Sequence, residues 1–236
     1  MCAAWVYQGI AESPKPHVFI VIGPNHSGSS QKDAPVAISL EDQKTPFGVV
    51  QIDKRFAKRL MTATDLVQND EFAFSREHSV EVQLPFLQFI AAKKFSLVFV
   101  PLLCRDMSFE DCQKLADAID KVSDDLNVRV TVIASTDFTH YGSAYGYIPF
   151  IDDIKKKMYG VDASAIEFID KLDSKGFYNH IKEYKMTVCG YVPATVAMEV
   201  SKLKFAKSSK LLSYYTSGDI TGSYRQAVGY AGIVFE

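Results

Sequence analysis

The sequence predicts a single α/β domain with a central, mostly parallel or mixed sheet flanked by helices. Short β-branched apolar runs alternate with stretches of helical periodicity along the whole chain, the order that lays helices on both faces of a sheet. Most of these runs are continuously apolar, as strands buried on both faces are. The chain has 236 residues and shows no repeat, low-complexity tract or linker. That length suits one large domain with a real core, so residues 1–236 read as one unit.

Strands are predicted at 18–22, 97–103, 128–134 and 227–235, with a weaker one at 211–215. Residues 45–52 contain Pro46 and Gly48, which argues for a loop or an edge hairpin. Helices are predicted at 54–63 after the N-cap Asp53, and at 109–126 after Ser108. In the second, Leu115, Ala118, Ile119 and Val122 recur at helical spacing. Further helices are expected at 84–92, 152–172, 177–184 and 191–204. Residues 2–7 read as the end of a helix, too short to hold unless it docks on something.

Composition excludes several classes. Hydrophobic residues make up 47% and charged residues 23%, with a formal net charge of −2. Lys and Arg are scattered, which gives no footprint for nucleic acid or an anionic membrane. No apolar run approaches bilayer length, and residues 1–10 lack the pattern of a signal peptide. The four cysteines form no CxxC pair, so a reducing, cytoplasmic compartment with free thiols is expected. HExxH, GxSxG, Walker A and GxGxxG motifs are all absent, which argues against zincins, α/β hydrolases, P-loop NTPases and dinucleotide enzymes.

Four segments place metal-capable side chains where an α/β sheet presents its ligands, past the carboxyl ends of strands. They are Gly23-Pro24-Asn25-His26, Glu77-His78-Ser79-Val80-Glu81, the run from Ser135 to His140, and Thr187-Val188-Cys189-Gly190. Each has a plainer reading. His26 suits a turn, Asp137 and His140 suit loop capping, and Glu77 with Glu81 suits a solvated helix face. Cys189 suits a small buried hydrophobe, although a helix N-terminus favours its thiolate. His17 and His180 read as surface residues, and Cys104 and Cys112 as packing. What favours the functional reading is coincidence: three of the five histidines and one cysteine sit at element ends. Imidazole and thiolate together suit iron, copper or zinc.

These motifs, with Leu84-Pro85-Phe86, Tyr141-Gly142 and the closing run from Ala227 to Ala231, resemble the Memo family in order and approximate spacing over essentially the whole chain. The resemblance implies the fold of class III extradiol dioxygenases, in which two histidines and a carboxylate hold Fe(II) with open positions. It implies His26 and Cys189 as metal ligands, with Fe(II) or copper as the cofactor. His140, Asp137 and His78 would be the catalytic candidates, and Glu77, Glu81, Asn25 and Tyr141 would line the substrate pocket. Members are described as iron- or copper-binding proteins with redox effects and, in animals, as cell-motility adaptors. A metal-dependent redox or dioxygenase-like protein is therefore expected. The alternative is a non-catalytic adaptor that holds a small molecule or peptide in the same cleft. The family pattern opens with a strand ending in Pro-His-Ala-Gly-Tyr, then a Ser-Gly turn and a helix that Cys2-Ala3-Ala4-Trp5-Val6-Tyr7 matches. Relative to it, the chain is expected to be N-terminally incomplete. It would lack one histidine ligand, hold metal weakly or not at all, and leave an unpaired edge on strand 18–22 or its neighbour.

Overall fold

The computed structural model describes residues 2–13, 16, 18–92 and 97–236. Within them the strands form two sheets. The larger has seven: β1 (Val18–Pro24), β2 (Val36–Ile38), β3 (Gln43–Thr45), β4 (Gly48–Ile52), β5 (Val67–Asn69), β6 (Val98–Cys104) and β7 (Val130–Ala134). Its spine runs β3-β4-β6-β1-β7, and β4, β6, β1 and β7 are parallel. β2 lies antiparallel to β6 and parallel to β5. This is the expected mixed, mostly parallel sheet. The smaller sheet is antiparallel, in the order β8 (His140–Gly142), β10 (Gln226–Phe235), β9 (Ser209–Thr216).

Every residue of β1 is buried. It has a strand on each side and apolar side chains on both faces, so its run of Val, Phe and Ile is fully used. β7 differs. It pairs with β1 along one edge, and among the described residues no strand pairs with the other. Four of its five residues are only half-buried. The unpaired edge expected beside strand 18–22 is therefore present, on its neighbour.

The helices are α1 (Cys2–Glu12), α2 (Lys54–Ala63), α3 (Glu71–Phe74), α4 (Leu84–Ala91), α5 (Phe109–Asp125), α6 (Ile154–Asp170), α7 (Ser174–Glu183), α8 (Tyr191–Leu203) and α9 (Ser217–Thr221). Asp53 and Ser108 cap α2 and α5 as expected, accepting the N–H groups of Phe56 and Asp111. α8 packs on α5, β1 and β7, while α1 packs on α4, β9 and β10. α1 thus has the docking partner its short length requires, and it runs five residues beyond the predicted 2–7.

Residues 45–52 belong to an edge hairpin, as expected, and its second strand reaches the main sheet through Gln51 and Ile52. Other expectations need correction. The short β2, β5, α3, β8 and α9 carry no pattern long enough to read. His180 is half-buried rather than a surface residue, because Ser164 meets its Nε2 at 2.8 Å and Phe168 packs on the ring. Cys104 and Cys112 are buried as expected, and His17 lies outside the described residues. Among the described residues no helix is long and apolar enough to cross a membrane.

Candidate metal centre

The loop after β1 carries His26, and the segment before α4 carries Glu77 and His78. Two close approaches hold these segments together. Ser79 Oγ donates to the Pro24 carbonyl at 2.8 Å. Gly23 makes room for it, since a Cβ there would lie 2.4 Å from that hydroxyl. Glu77 is therefore not on a solvated helix face. Its side chain is 1% exposed, and it accepts the His26 N–H at 2.6 Å, the His26 ring Nδ1 at 3.0 Å, and the His78 and Ser79 N–H groups at 2.8 and 2.9 Å. Burial pushes the Glu77 carboxyl up, but the bonds from His26 and Ser79 outweigh it and hold it below its ordinary range. The His26 and His78 rings stack 5.2 Å apart.

The loop after β7 and the N-terminus of α8 supply the second half. Cys189 Sγ accepts the Asp137 N–H at 3.2 Å, and the Gly190 N–H reaches Thr136 Oγ1 at 2.9 Å. Only glycine fits at 190, where a Cβ would sit 2.4 Å from Thr136 Cβ and 2.6 Å from the Ser135 carbonyl. His140 is clamped by Thr187. Its N–H donates to Thr187 Oγ1, and its Nδ1 lies 2.8 Å from the Thr187 carbonyl. A carbonyl only accepts, so Nδ1 carries a proton, and Nε2 is the ring nitrogen left for another partner. That Nε2 lies 3.8 Å from Asp137 Oδ2. Burial raises the Asp137 carboxyl above its ordinary value, against the opposing pull of His140, His26 and His78.

The halves meet at His26 and Cys189. Hydrogen bonding to Cys189 is the largest influence on the His26 ring, burial opposes it, and Glu77 adds to it, so the ring titrates at about 9. Ligand-capable atoms of His26, Glu77 and His78 lie within 4.8 Å of one another, and so do those of Asp137, His140 and Cys189. Glu77 and Thr187 hold the Nδ1 atoms of His26 and His140, which leaves Nε2 of each ring as the atom a metal would take, as in ligating histidines. Thiolate, imidazole and carboxylate together form a donor set that suits a borderline or soft transition metal. A metal that takes His26 must first displace its proton.

The remaining candidates lie outside these two groups. Asn25 folds its own loop, donating to the Ser29 carbonyl and accepting from Ser27 Oγ. Tyr141 is buried, stacked on Phe150 and bonded to its carbonyl. Glu81 is exposed in a 3-10 turn at Glu81–Gln83. Two supporting roles escaped the sequence reading. Thr187 stands in the fourth segment, but nothing in sequence shows that it clamps His140. Asp162 does give a signal, as an acid at a buried position of α6 beside Met158, Ala165 and Ile169. It accepts the Thr139 N–H and the Tyr214 hydroxyl at 3.1 and 2.6 Å, fixing the loop that carries His140.

Known proteins are similar to this chain along nearly its whole length. The Memo-like protein family profile matches residues 1–234. A MEMO1 family protein of Methanopyrus kandleri is 37% identical over 233 residues, covering 99% of this chain and 77% of that one. MEMO1 family proteins of Thermococcus onnurineus and Pyrococcus horikoshii are each 35% identical, covering 99% of this chain and 81% of theirs. The chain belongs to the Memo family.

Proposed function

We propose that this chain binds a transition metal, iron or copper, through His26 and Cys189 and serves a redox or oxygenase-like role on a small molecule. The observation that supports this best is the cluster of Asp137, His140 and Cys189, whose ligand atoms lie within 4.8 Å of one another, beside a His26 ring that buried Glu77 anchors. Such a metal supplies a redox and Lewis-acid centre when bound. The residues do the rest: Glu77 and Thr187 orient the two rings, and His140 with Asp137 holds or moves a proton on a bound molecule. His78 stacks on His26 and is largely exposed beside it.

Anaerobic calorimetric titration with Fe(II), Cu(I) and Zn(II) tests the reading. Cys189→Ser replaces a thiolate by a neutral hydroxyl, so affinity is expected to fall at least about tenfold, with circular dichroism unchanged. Equal binding by wild type and Cys189→Ser, or no binding by either, removes the metal reading. A non-catalytic adaptor then takes its place, with the cleft holding a small molecule or peptide. The exposure of these residues favours that second reading, because the side chains of His26 and His78 are 40% and 70% exposed.

A further inference from the structure

We propose that His140 is itself a metal ligand, so that His26, His140 and Cys189 form a set of two imidazoles and one thiolate, and Asp137 alone is left to hold or move a proton. The proposal rests on the metal reading above and changes the part given there to His140. With His26 and Cys189 alone, a metal has two protein ligands. A second imidazole beside the same sulfur makes three and leaves one position open, the pattern of a catalytic rather than a structural site.

The first support is distance. Ligand atoms of Asp137, His140 and Cys189 lie within 4.8 Å of one another. Bonds of about 2.0–2.3 Å to one tetrahedral ion place its ligand atoms about 3.3–3.8 Å apart, so small side-chain turns bring His140 and Cys189 onto one ion. His140 Nε2 lies 3.8 Å from Asp137 Oδ2, which is too long for a hydrogen bond. The second support is that the ring is set in place by the protein. Its Nδ1 lies 2.8 Å from the Thr187 carbonyl, and Thr187 Oγ1 both accepts the His140 N–H and donates to the His140 carbonyl. The Tyr145 ring meets the imidazole edge-on at 5.1 Å. Behind it, the Phe138 N–H bonds the Gly229 carbonyl at 2.8 Å and the Thr139 N–H bonds Asp162 at 3.1 Å. An imidazole held at Nδ1 by a backbone carbonyl is oriented to ligate through Nε2.

The third support decides between His140 and its neighbour. The side chain of His140 is 19% exposed and that of Asp137 is 42%. The imidazole is the enclosed group, and the carboxylate is the one open to a molecule arriving from solvent. Imidazole also shares the preference of thiolate for softer metals, where a carboxylate prefers harder ones. His78 does not compete, since its side chain is 70% exposed and its near neighbour Glu77 already serves four N–H donors.

Anaerobic titration with Co(II), a spectroscopic stand-in for Fe(II), tests the assignment on wild type, His140→Asn and Cys189→Ser. Asparagine keeps an N–H for the Thr187 carbonyl near the place of Nδ1 and has nothing at the place of Nε2. His140→Asn is expected to weaken Co(II) binding at least about tenfold, the lower bound even for losing a group that only orients a ligand. At saturation its d–d bands should differ from those of wild type while the thiolate-to-cobalt band from Cys189 persists. In wild type, the ring-nitrogen NMR signal of His140 Nε2 should move on adding Zn(II) while Nδ1 keeps its proton. If circular dichroism shows that His140→Asn misfolds, this NMR measurement alone decides. Equal affinity and identical d–d bands in wild type and His140→Asn, or a His140 ring unmoved by Zn(II), overturns the proposal. Where binding still depends on Cys189 in that case, the metal reading stands without it. No thiolate band in wild type removes both.

Discussion

The Glu77 carboxylate is a single acceptor for four N–H donors: the backbone groups of His26, His78 and Ser79, and the His26 ring. Glu77→Gln puts an amide NH₂ where an acceptor oxygen was, and that nitrogen faces a donor in either orientation. The variant is expected to lose about 2–3 kcal/mol, the cost of a buried donor left without a partner. Urea unfolding at pH 7 measures this, and a change below about 0.5 kcal/mol, ordinary for a surface position, would mean the hub is dispensable. Spacing hid this role. Glu77 and Glu81 are four apart, as on one helix face, yet they sit in a loop and a 3-10 turn. The motif was legible; the use of its acid was not.

At the scale of elements, α9 shows how much a helix start can organise. Thr216 and Asp219 form a reciprocal capping box, and Asp219 also takes Lys155 at 2.7 Å and the hydroxyls of Tyr159 and Tyr224. Burial pushes the carboxyl up, but Lys155, the two tyrosines and the Thr216 N–H hold it far below its ordinary 3.8. A depressed folded value stabilises above the unfolded pKa and is lost as pH falls through the folded one. Asp219→Asn is therefore expected to cost about 1–2 kcal/mol at pH 7, with the gap to wild type closing only below about pH 4. Denaturant midpoints at pH 7 and pH 3 check this, and a gap that does not change between them would refute it. Long elements such as α2 and α5 were legible because their periodicity spans several turns behind a clear cap. The three-residue β2, β5 and β8 were not, since one alternation fits any loop. Nor does an apolar run say which sheet it joins, so the second sheet appears only in three dimensions.

For the molecule as a whole, burial sets a hierarchy of stability. Ile20, Val21 and Ile22 lie between β6 and β7 with no exposure, and their amides should exchange only on global unfolding. Val132 and Ala134 lie on the edge of β7 that no strand of the described residues pairs with, and they should exchange at least about a hundredfold faster. Equal rates, read by exchange NMR, would show that the edge is covered after all. The site was legible at this scale because ligand-bearing loops collect past the carboxyl ends of parallel strands. Asp162 and Thr187 were not, because what they hold lies far away in sequence. β6 has one more consequence. It carries β1 on one flank, while β4 and β2 share the other at Val98–Phe99 and Leu102–Cys104. All these partners, with β3 and β5, precede it in the chain. A ribosome making this protein therefore completes six of the seven main-sheet strands by residue 104, and β6 is the last of those six to emerge. The sheet can close around it while the Cys189 half of the site is still unmade.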